Sequence, residues 1–291
     1  MHSDVDAPAP LAVHDYLDRF LTYQRVRTAR RTFKSDAPRL RRFFHDVKVT
    51  DLRELRALHI TEYLTKRAGD GLAPATLNRI RGCLNTLFVW LIDQELIERN
   101  PVARVRPAVV PAPEITFLTL PQIDQLLRIV SGDIIAPLVA TLVFAGLRRD
   151  EAVWLRPEDL DMEARVLRVQ SKVVGGVAWQ SKTKLNRRVP ISPRLLEVLR
   201  AEPVGNLLWA FPAPNGGRWD GANLYARFRR LMRAAGKRWT MLDLRHTFAS
   251  QLAMRGVSLV KIAAFMGNSP EICRRHYAHI TTEDLHEDVA F

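Results

Sequence analysis

Four prolines, Pro101, Pro107, Pro111 and Pro113, crowd the stretch between Asn100 and Glu114. Proline fixes φ, removes a backbone donor and ends helices. No long helix or central strand can run through such a stretch, so the 291-residue chain is divided into parts with separate cores. The change of character begins at Asn100, with Arg104 and Arg106 between the prolines. We read a helical domain over residues 1–107, a semi-rigid proline-rich linker over 108–114 and a mixed domain over 115–291.

Before the prolines, apolar residues recur at helical spacing. Leu11, Tyr16, Leu17, Phe20, Leu21 and Tyr23 mark one helix, and Phe33, Leu40, Phe43 and Phe44 continue the pattern over 28–47. A short helix over 59–67 stops at Gly69-Asp70-Gly71, a turn signal. Pro74 then sits where a first helical turn tolerates it, and 75–93 reads as a long amphipathic helix through Leu77, Ile80, Leu84, Leu87, Phe88 and Leu91. No strand pattern occurs here, so the expectation is a bundle of about four helices.

The second part is mixed. Thr119 is an N-cap candidate ahead of Pro121 and a helix to about Val130. Residues 134–145 predict a buried helix ending at Gly146. Residues 165–171, 176–182 and 187–191 read as a strand meander, turning at Gly175-Gly176 and at Lys184-Leu185-Asn186. Helices are predicted at 193–200, 223–235, 245–255, 259–266, 272–279 and 283–289. The fold class is therefore multidomain: an α-helical bundle, then a mainly α domain with one small antiparallel β-sheet.

Hydrophobic residues make up 47% of the chain and charged residues 26%, a balance that folds rather than stays disordered. The net charge is +13, which points to a polyanionic partner. The surplus is spread out: residues 1–113 carry 19 Lys/Arg and 13 Asp/Glu, while 114–291 carry 25 and 18. A basic tail would concentrate it, so each part is a candidate to touch the anion. The alternative is a basic soluble protein with no such ligand. Two distant cysteines, Cys83 and Cys273, form neither a disulfide framework nor a zinc pattern and read as small core residues in a reducing cytoplasm. Met1-His2-Ser3-Asp4 opens no signal peptide, and the longest uncharged stretch, 134–147, is shorter than the roughly 18–20 residues of a membrane span.

Four boxes in the mixed domain carry a resemblance. Phe144-Ala145-Gly146-Leu147-Arg148-Arg149-Asp150-Glu151-Ala152 resembles the first catalytic-arginine box of the tyrosine recombinases, the phage integrase family. The run from Ser181 to Ile191 resembles the family's lysine hairpin, and the eight-residue spacing to Pro190 selects Lys182 over Lys184. Leu242-Asp243-Leu244-Arg245-His246-Thr247-Phe248-Ala249-Ser250 resembles the second arginine box. Phe265-Met266-Gly267-Asn268-Ser269, followed by His276-Tyr277-Ala278-His279, resembles the box of the nucleophile. The motifs cover 115–291; residues 1–107 match only in size, helicity and position.

The resemblance implies phosphate contact by Arg148 and Arg245, acid catalysis by Lys182 and attack by Tyr277. Two guanidiniums suit a charged phosphodiester, which otherwise repels nucleophiles. A phenol oxygen can attack phosphorus and conserve the bond as a phosphotyrosyl link, and a lysine can protonate the leaving 5′-oxygen. No cofactor and no metal is expected. The implied partner is double-stranded DNA, clamped between the two domains, with a homotetramer on two DNA sites joined partly by an exchanged segment at 281–291. The helical domain then serves as a core-binding, DNA-binding module.

Two positions depart from the family pattern. Leu242 stands three residues before Arg245 where a histidine is usual, and Asn268 stands nine before Tyr277 where histidine or tryptophan is usual. Leucine moves no proton; asparagine can donate a hydrogen bond to phosphate but does not titrate. The site is thus an active recombinase or, alternatively, a recombinase-derived sequence-specific DNA-binding protein with impaired cleavage. A topoisomerase-like nicking enzyme is a third reading. Among nearby histidines, His276 is the candidate to compensate, although its place beside Tyr277 turns it roughly 100° away.

Each residue also has a plainer role. Arg148 could cap a turn, Lys182 could be a solvated hairpin lysine and Tyr277 a core tyrosine. Arg245, near a helix start, would need an anionic partner if buried, and DNA phosphate is the natural one. The basic run Arg227, Arg229, Arg230, Arg233, Lys237 and Arg238 is either a solvated face or a phosphate-contacting one. The same holds for Arg25, Arg27, Arg30, Arg31, Lys34, Arg79 and Arg81.

Overall fold

The computed structural model describes residues 10–111, 115–201 and 205–280, with the side chain of His279 left aside. The predicted helix at 283–289 and the proposed exchange segment at 281–291 lie outside the described residues. The chain forms two compact units, residues 1–113 and 114–291. No helix among the described residues is long and apolar enough to cross a membrane.

Among its described residues the first unit has four α-helices: α1 (Val13–Arg27), α2 (Arg30–Val47), α3 (Ala57–Gly69) and α4 (Pro74–Asp93). Thr28 and Ala29 leave helical geometry and separate α1 from α2, where the second apolar segment is expected to begin. Pro74 occupies the first turn of α4, where its missing N–H is not needed. The core is the apolar face of each helix: Leu17, Phe20, Phe43, Ile60, Leu84, Leu87, Phe88 and Leu91 are all buried.

The proline-crowded stretch is not free chain from its start. Pro101–Arg104 forms a turn of 3₁₀ helix, and Val102 and Val105 are buried in the helical core. The Asn100 amide nitrogen donates to Asn85, and its oxygen accepts from the Val102 N–H. Arg81 donates to the Val105 carbonyl at 2.6 Å. Asn78 holds Ala108 by two hydrogen bonds of 2.8 Å, one to its carbonyl and one from its N–H. Residues 100–108 therefore finish the helical unit, because apolar side chains between the prolines find a core within reach.

The second unit begins with α5 (Leu120–Val130), with Thr119 at its N-cap position as expected and Gln122 Oε1 accepting from the Thr119 N–H. Next comes α6 (Ala136–Ala145), apolar on all sides and buried. Gly146 ends it in the left-handed region at φ 61°. A Cβ there would stand 2.2 Å from the Phe248 ring, so both backbone and packing call for glycine. The short helix α7 (Arg149–Ala152) follows at once.

The strands differ from the predicted meander. Among the described residues there are two sheets, not one: β1 (Leu160–Asp161), β2 (Val166–Val169) and β5 (Arg187–Pro190) form the first, and β3 (Lys172–Val174) with β4 (Val177–Trp179) forms the second. The predicted first strand breaks after Val169, and β2 pairs antiparallel with β5, Val169 opposite Arg187. The β3–β4 hairpin, turning at Gly175-Gly176 as expected, is an excursion between these partners. Residues 180–186 carry no strand, so Lys182 lies in a turn and not on a hairpin edge.

The remaining helices are α8 (Pro193–Ala201), α9 (Gly221–Ala234), α10 (Met241–Ala253), α11 (Leu259–Met266) and α12 (Pro270–Tyr277). Helix α10 starts four residues before the predicted 245, capped by Thr240, whose hydroxyl accepts from the Asp243 N–H. That places Arg245 in the second turn rather than at the start. Thr247 of α10 accepts from the Leu118 N–H, and Gln251 donates to the Leu118 carbonyl, which fixes the entering chain on this helix. Cys83 and Cys273 are both free and buried.

Candidate active site

The turn after α6 throws Arg148 to the N-cap of α7. Its backbone N–H donates to Glu151 Oε2 at 2.8 Å and its guanidinium to Oε1 at 3.0 Å. The other end of the same guanidinium donates to the Gly267 carbonyl at 2.8 Å and to Asn268 Oδ1 at 2.6 Å. Arg245 reaches the same place from α10. It donates to the Gly146 carbonyl at 2.5 Å, the Met266 carbonyl at 2.7 Å and Asn268 Oδ1 at 3.1 Å. One neutral oxygen, Asn268 Oδ1, thus lies between two guanidiniums from helices far apart in sequence. Only an oxygen fits there, since both neighbours are donors.

The anionic partner that a buried Arg245 needs, for which DNA phosphate is the natural candidate in the sequence, is already present within the protein: Glu151, 1% exposed, lies 3.9 Å from it. Glu151 also binds a third guanidinium, that of Arg187, by hydrogen bonds of 3.1 and 2.6 Å. Arg187 opens β5, two residues before buried Val189, so the strand's alternation turns it inward. It donates further to the Phe265 carbonyl at 2.7 Å, and its guanidinium fills the space where a Cβ at Gly267 would lie. Burial pushes the Glu151 carboxyl up, but the Arg187 hydrogen bonds and charge, the Arg148 N–H and the Arg245 charge outweigh it, leaving the carboxyl below its ordinary range. Burial, with the like charge of Arg148, brings Arg245 down to about 10 despite Glu151.

Glu151 and Arg187 escaped the sequence reading. Signals were present. Glu151 stands three after Arg148, at the position of a capping-box partner. Arg187 is an arginine on the inward face of a strand, which demands a buried acceptor.

Tyr277 ends α12 and is 1% exposed. Its hydroxyl is 2.8 Å from Nδ1 of His246, the residue after Arg245. The ring of His276, the candidate to compensate, lies 6.2 Å from that of His246 and 6.1 Å from that of Tyr277 between centroids, and the hydroxyl bonds to His246. Burial pushes the Tyr277 phenol up to about 12, with the Arg245 charge pulling the other way. Burial also lowers His246, helped by the nearby charge of His276. The imidazole is therefore neutral at neutral pH, and with Nδ1 facing the hydroxyl it can accept the phenolic hydrogen bond.

Lys182 is not brought into this cluster. It is exposed on the turn closed by the Lys184 N–H donating to the Ser181 carbonyl at 2.9 Å, and among the described residues no hydrogen bond or ion pair ties it down. Leu242, at the usual histidine position, is 61% exposed one helical turn before His246. On α9, Arg227 is committed to Asp133 and Arg229 to the Arg238 carbonyl. In the helical unit Arg79 pairs with Asp36. Among the described residues no three His, Cys, Asp or Glu side chains gather as a metal site.

A mainly helical unit with small antiparallel sheets, holding two arginines and a tyrosine at these places, is the architecture of the tyrosine recombinases. The Phage integrase family model matches residues 116–284, more than half of the chain, and the chain belongs to that family. The integrase of Escherichia phage P2 is 28% identical over 237 residues, 79% of this chain and 63% of that protein's length. Tyrosine recombinase XerC of Xanthomonas campestris pv. campestris is 26% identical over 251 residues, covering 81% and 73%. Among solved structures, the Tn1549 transposon integrase in complex with transposon right end DNA has the same fold, with a TM-score of 0.79 at 20% identity over 95% of this chain and 98% of that one. The lambda integrase tetramer bound to a Holliday junction gives 0.75 at 18% identity, covering 92% and 82%.

Proposed function

We propose that this chain is a site-specific DNA recombinase of the integrase type, which cuts and rejoins double-stranded DNA through a 3′-phosphotyrosyl link to Tyr277. The observation that carries the reading is the sharing of Asn268 Oδ1 by Arg148 and Arg245. Three guanidiniums meet one carboxylate here, so positive charge exceeds negative by two. An excess of that kind, with Arg148 partly open to solvent, suits an incoming phosphodiester and the extra charge of its five-coordinate transition state. The site does not need to bring a metal for that charge.

The roles follow. Arg148 and Arg245 bind the non-bridging oxygens, and Asn268 orders the two guanidiniums. Tyr277 Oη attacks phosphorus. Lys182, on its exposed turn, comes to the 5′-oxygen and protonates it as it leaves. The bond energy stays in the ester, so a free 5′-hydroxyl reverses the step without ATP. The relatives that bind DNA, and the lambda tetramer on a Holliday junction, support a homotetramer on two DNA sites, with the helical unit as the core-binding module.

Leu242 favours a second reading, a DNA-binding descendant with little cleavage. One experiment separates them: incubate the protein with a nicked duplex made from DNA flanking its gene, and look for a covalent adduct. The recombinase reading expects an adduct, its absence in Tyr277→Phe, and a loss of about 10²–10³-fold in its rate in Arg245→Lys. Sequence-specific, salt-sensitive binding with no adduct, and none gained in Leu242→His, establishes the second reading instead.

A further inference from the structure

We propose that His246 is the proton acceptor for Tyr277, taking the place that Leu242 leaves empty; this rests on the reading of Tyr277 as nucleophile. The hydroxyl and His246 Nδ1 are already 2.8 Å apart, within the range of a direct proton transfer. His246 stands four residues after Leu242, so the two lie on one face of α10, a turn apart. The imidazole is half-buried, on the side of α10 that meets α12. Among the described residues no other titratable side chain hydrogen-bonds to this hydroxyl.

The groups facing the imidazole set its state. His276 and Tyr277 face it from α12, and Asp243 and Arg245 from its own helix. Burial, His276 and Arg245 disfavour the imidazolium and Asp243 favours it, with the neutral ring winning. A base must be unprotonated before it acts, and this one is. With Nδ1 accepting, the neutral ring carries its proton on Nε2. In the step, the Tyr277 O–H proton moves to His246 Nδ1 as the Oη lone pair forms the O–P bond. The P–O5′ bond breaks, and its electron pair takes a proton from Lys182. The phosphate that has entered is the anion that offsets the new imidazolium. Reversal returns the Nδ1 proton to the departing phenolate oxygen, so the base becomes the acid of the return step.

The test is adduct formation in a single turnover on the nicked flanking duplex, followed against pH. The wild-type rate should fall as pH drops through the His246 value, which lies below 6.5. His246→Ala should be slower by about 10²–10⁴-fold and lose this acid limb. His246→Asn keeps an acceptor for the hydroxyl but cannot take its proton. It should bind the nicked duplex as wild type does and remain slow. A duplex with sulfur at the bridging 5′ position needs little protonation of its leaving group. It should rescue Lys182→Ala and leave both His246 variants slow. Wild-type rates in His246→Asn, or an unchanged acid limb in His246→Ala, overturn the inference alone. No adduct from wild type, or one that persists in Tyr277→Phe, overturns the reading of Tyr277 and the inference with it.

Discussion

In residues 10–111 every buried side chain is apolar or, as with Tyr63 and Cys83, only weakly polar; in residues 115–280 Thr141, Glu151, Asp159, Ser181, Arg245, Thr247 and Ser250 are buried as well. The charges of the first unit pair at its surface, as Arg79 does with Asp36 and Arg42 with Asp46. Those of the second reach inside: Arg187 and Arg245 are each 7% exposed at the side chain, with Glu151 between them. Burying charge is expensive unless every partner is in place. A folding unit that needed only stability would fill this volume with leucine, as the first unit does. The contrast therefore teaches that the second unit carries a cost in stability, which on the proposed function is the cost of a preorganised anion site.

The largest effect should come from removing the charge that holds the three guanidiniums. Glu151→Ala should destabilise the second unit by about 3–5 kcal/mol, because it leaves Arg187 and Arg245 buried without their anion. Arg79→Ala, the exposed counterpart in the first unit, should cost about 0.2–1 kcal/mol. Urea unfolding followed by tryptophan fluorescence reads the second unit well, since five of the six tryptophans belong to it. Equal losses in the two variants would break the contrast. The pH dependence sharpens it. The Glu151 carboxyl is lowered from 4.5 in the fold, so its contribution is full above that value and is lost as pH falls through the folded one. The stability advantage of wild type over Glu151→Gln should accordingly hold at neutral pH and close in acid. An advantage that persists unchanged well below pH 4.5 would mean that shape, not charge, holds the cluster.

The units also differ in how far the sequence discloses them. The first is local: its helices follow from apolar spacing, the Gly69-Asp70-Gly71 stop and Pro74, and only the docking of 100–108 was missed. The cause is that periodicity reports burial within a segment and not which core receives it. In the second unit the boxes pointed to Arg148, Arg245, Asn268 and Tyr277, and the structure gathers the first three around one oxygen. Glu151, Arg187 and His246 were missed as site residues because their roles arise between segments. Arg187 lies 36 residues from Glu151 and His246 lies 31 from Tyr277. The strand error is of the same kind: β2 finds its partner in β5 across the whole β3–β4 excursion, a pairing that no local pattern carries.

A middle-sized effect separates backbone strain from packing. Gly71 and Gly146 both have positive φ, 85° and 61°. Alanine at Gly71 meets open space, so Gly71→Ala should cost only the left-handed penalty of about 1–2 kcal/mol. Gly146→Ala adds a collision with the Phe248 ring and displaces the carbonyl that accepts from Arg245. It should cost about 1–3 kcal/mol more, as overpacked cores do, and slow adduct formation. Equal costs, or a stability loss with no change in rate, would show that the turn supports the fold and not the arginine.

The smallest effect should be a gain, and only the first unit offers it cheaply. Gly82 lies in the interior of α4 with φ outside the left-handed region, and a Cβ there meets nothing within 4 Å. Alanine reduces the freedom of the unfolded chain and suits the helix, so Gly82→Ala should stabilise by about 0.4–1 kcal/mol. Amide hydrogen exchange can assign the gain: slower exchange along α4 with no change in α10 or α12 is expected, and adduct formation should keep its rate. In the second unit Gly146 and Gly267 are committed to the ring and guanidinium beside them, so their helix ends allow no such improvement. If Gly82→Ala instead slowed exchange around Arg245, or weakened cleavage, α4 would be coupled to the site, and the division between a unit built for stability and one built for chemistry would fail.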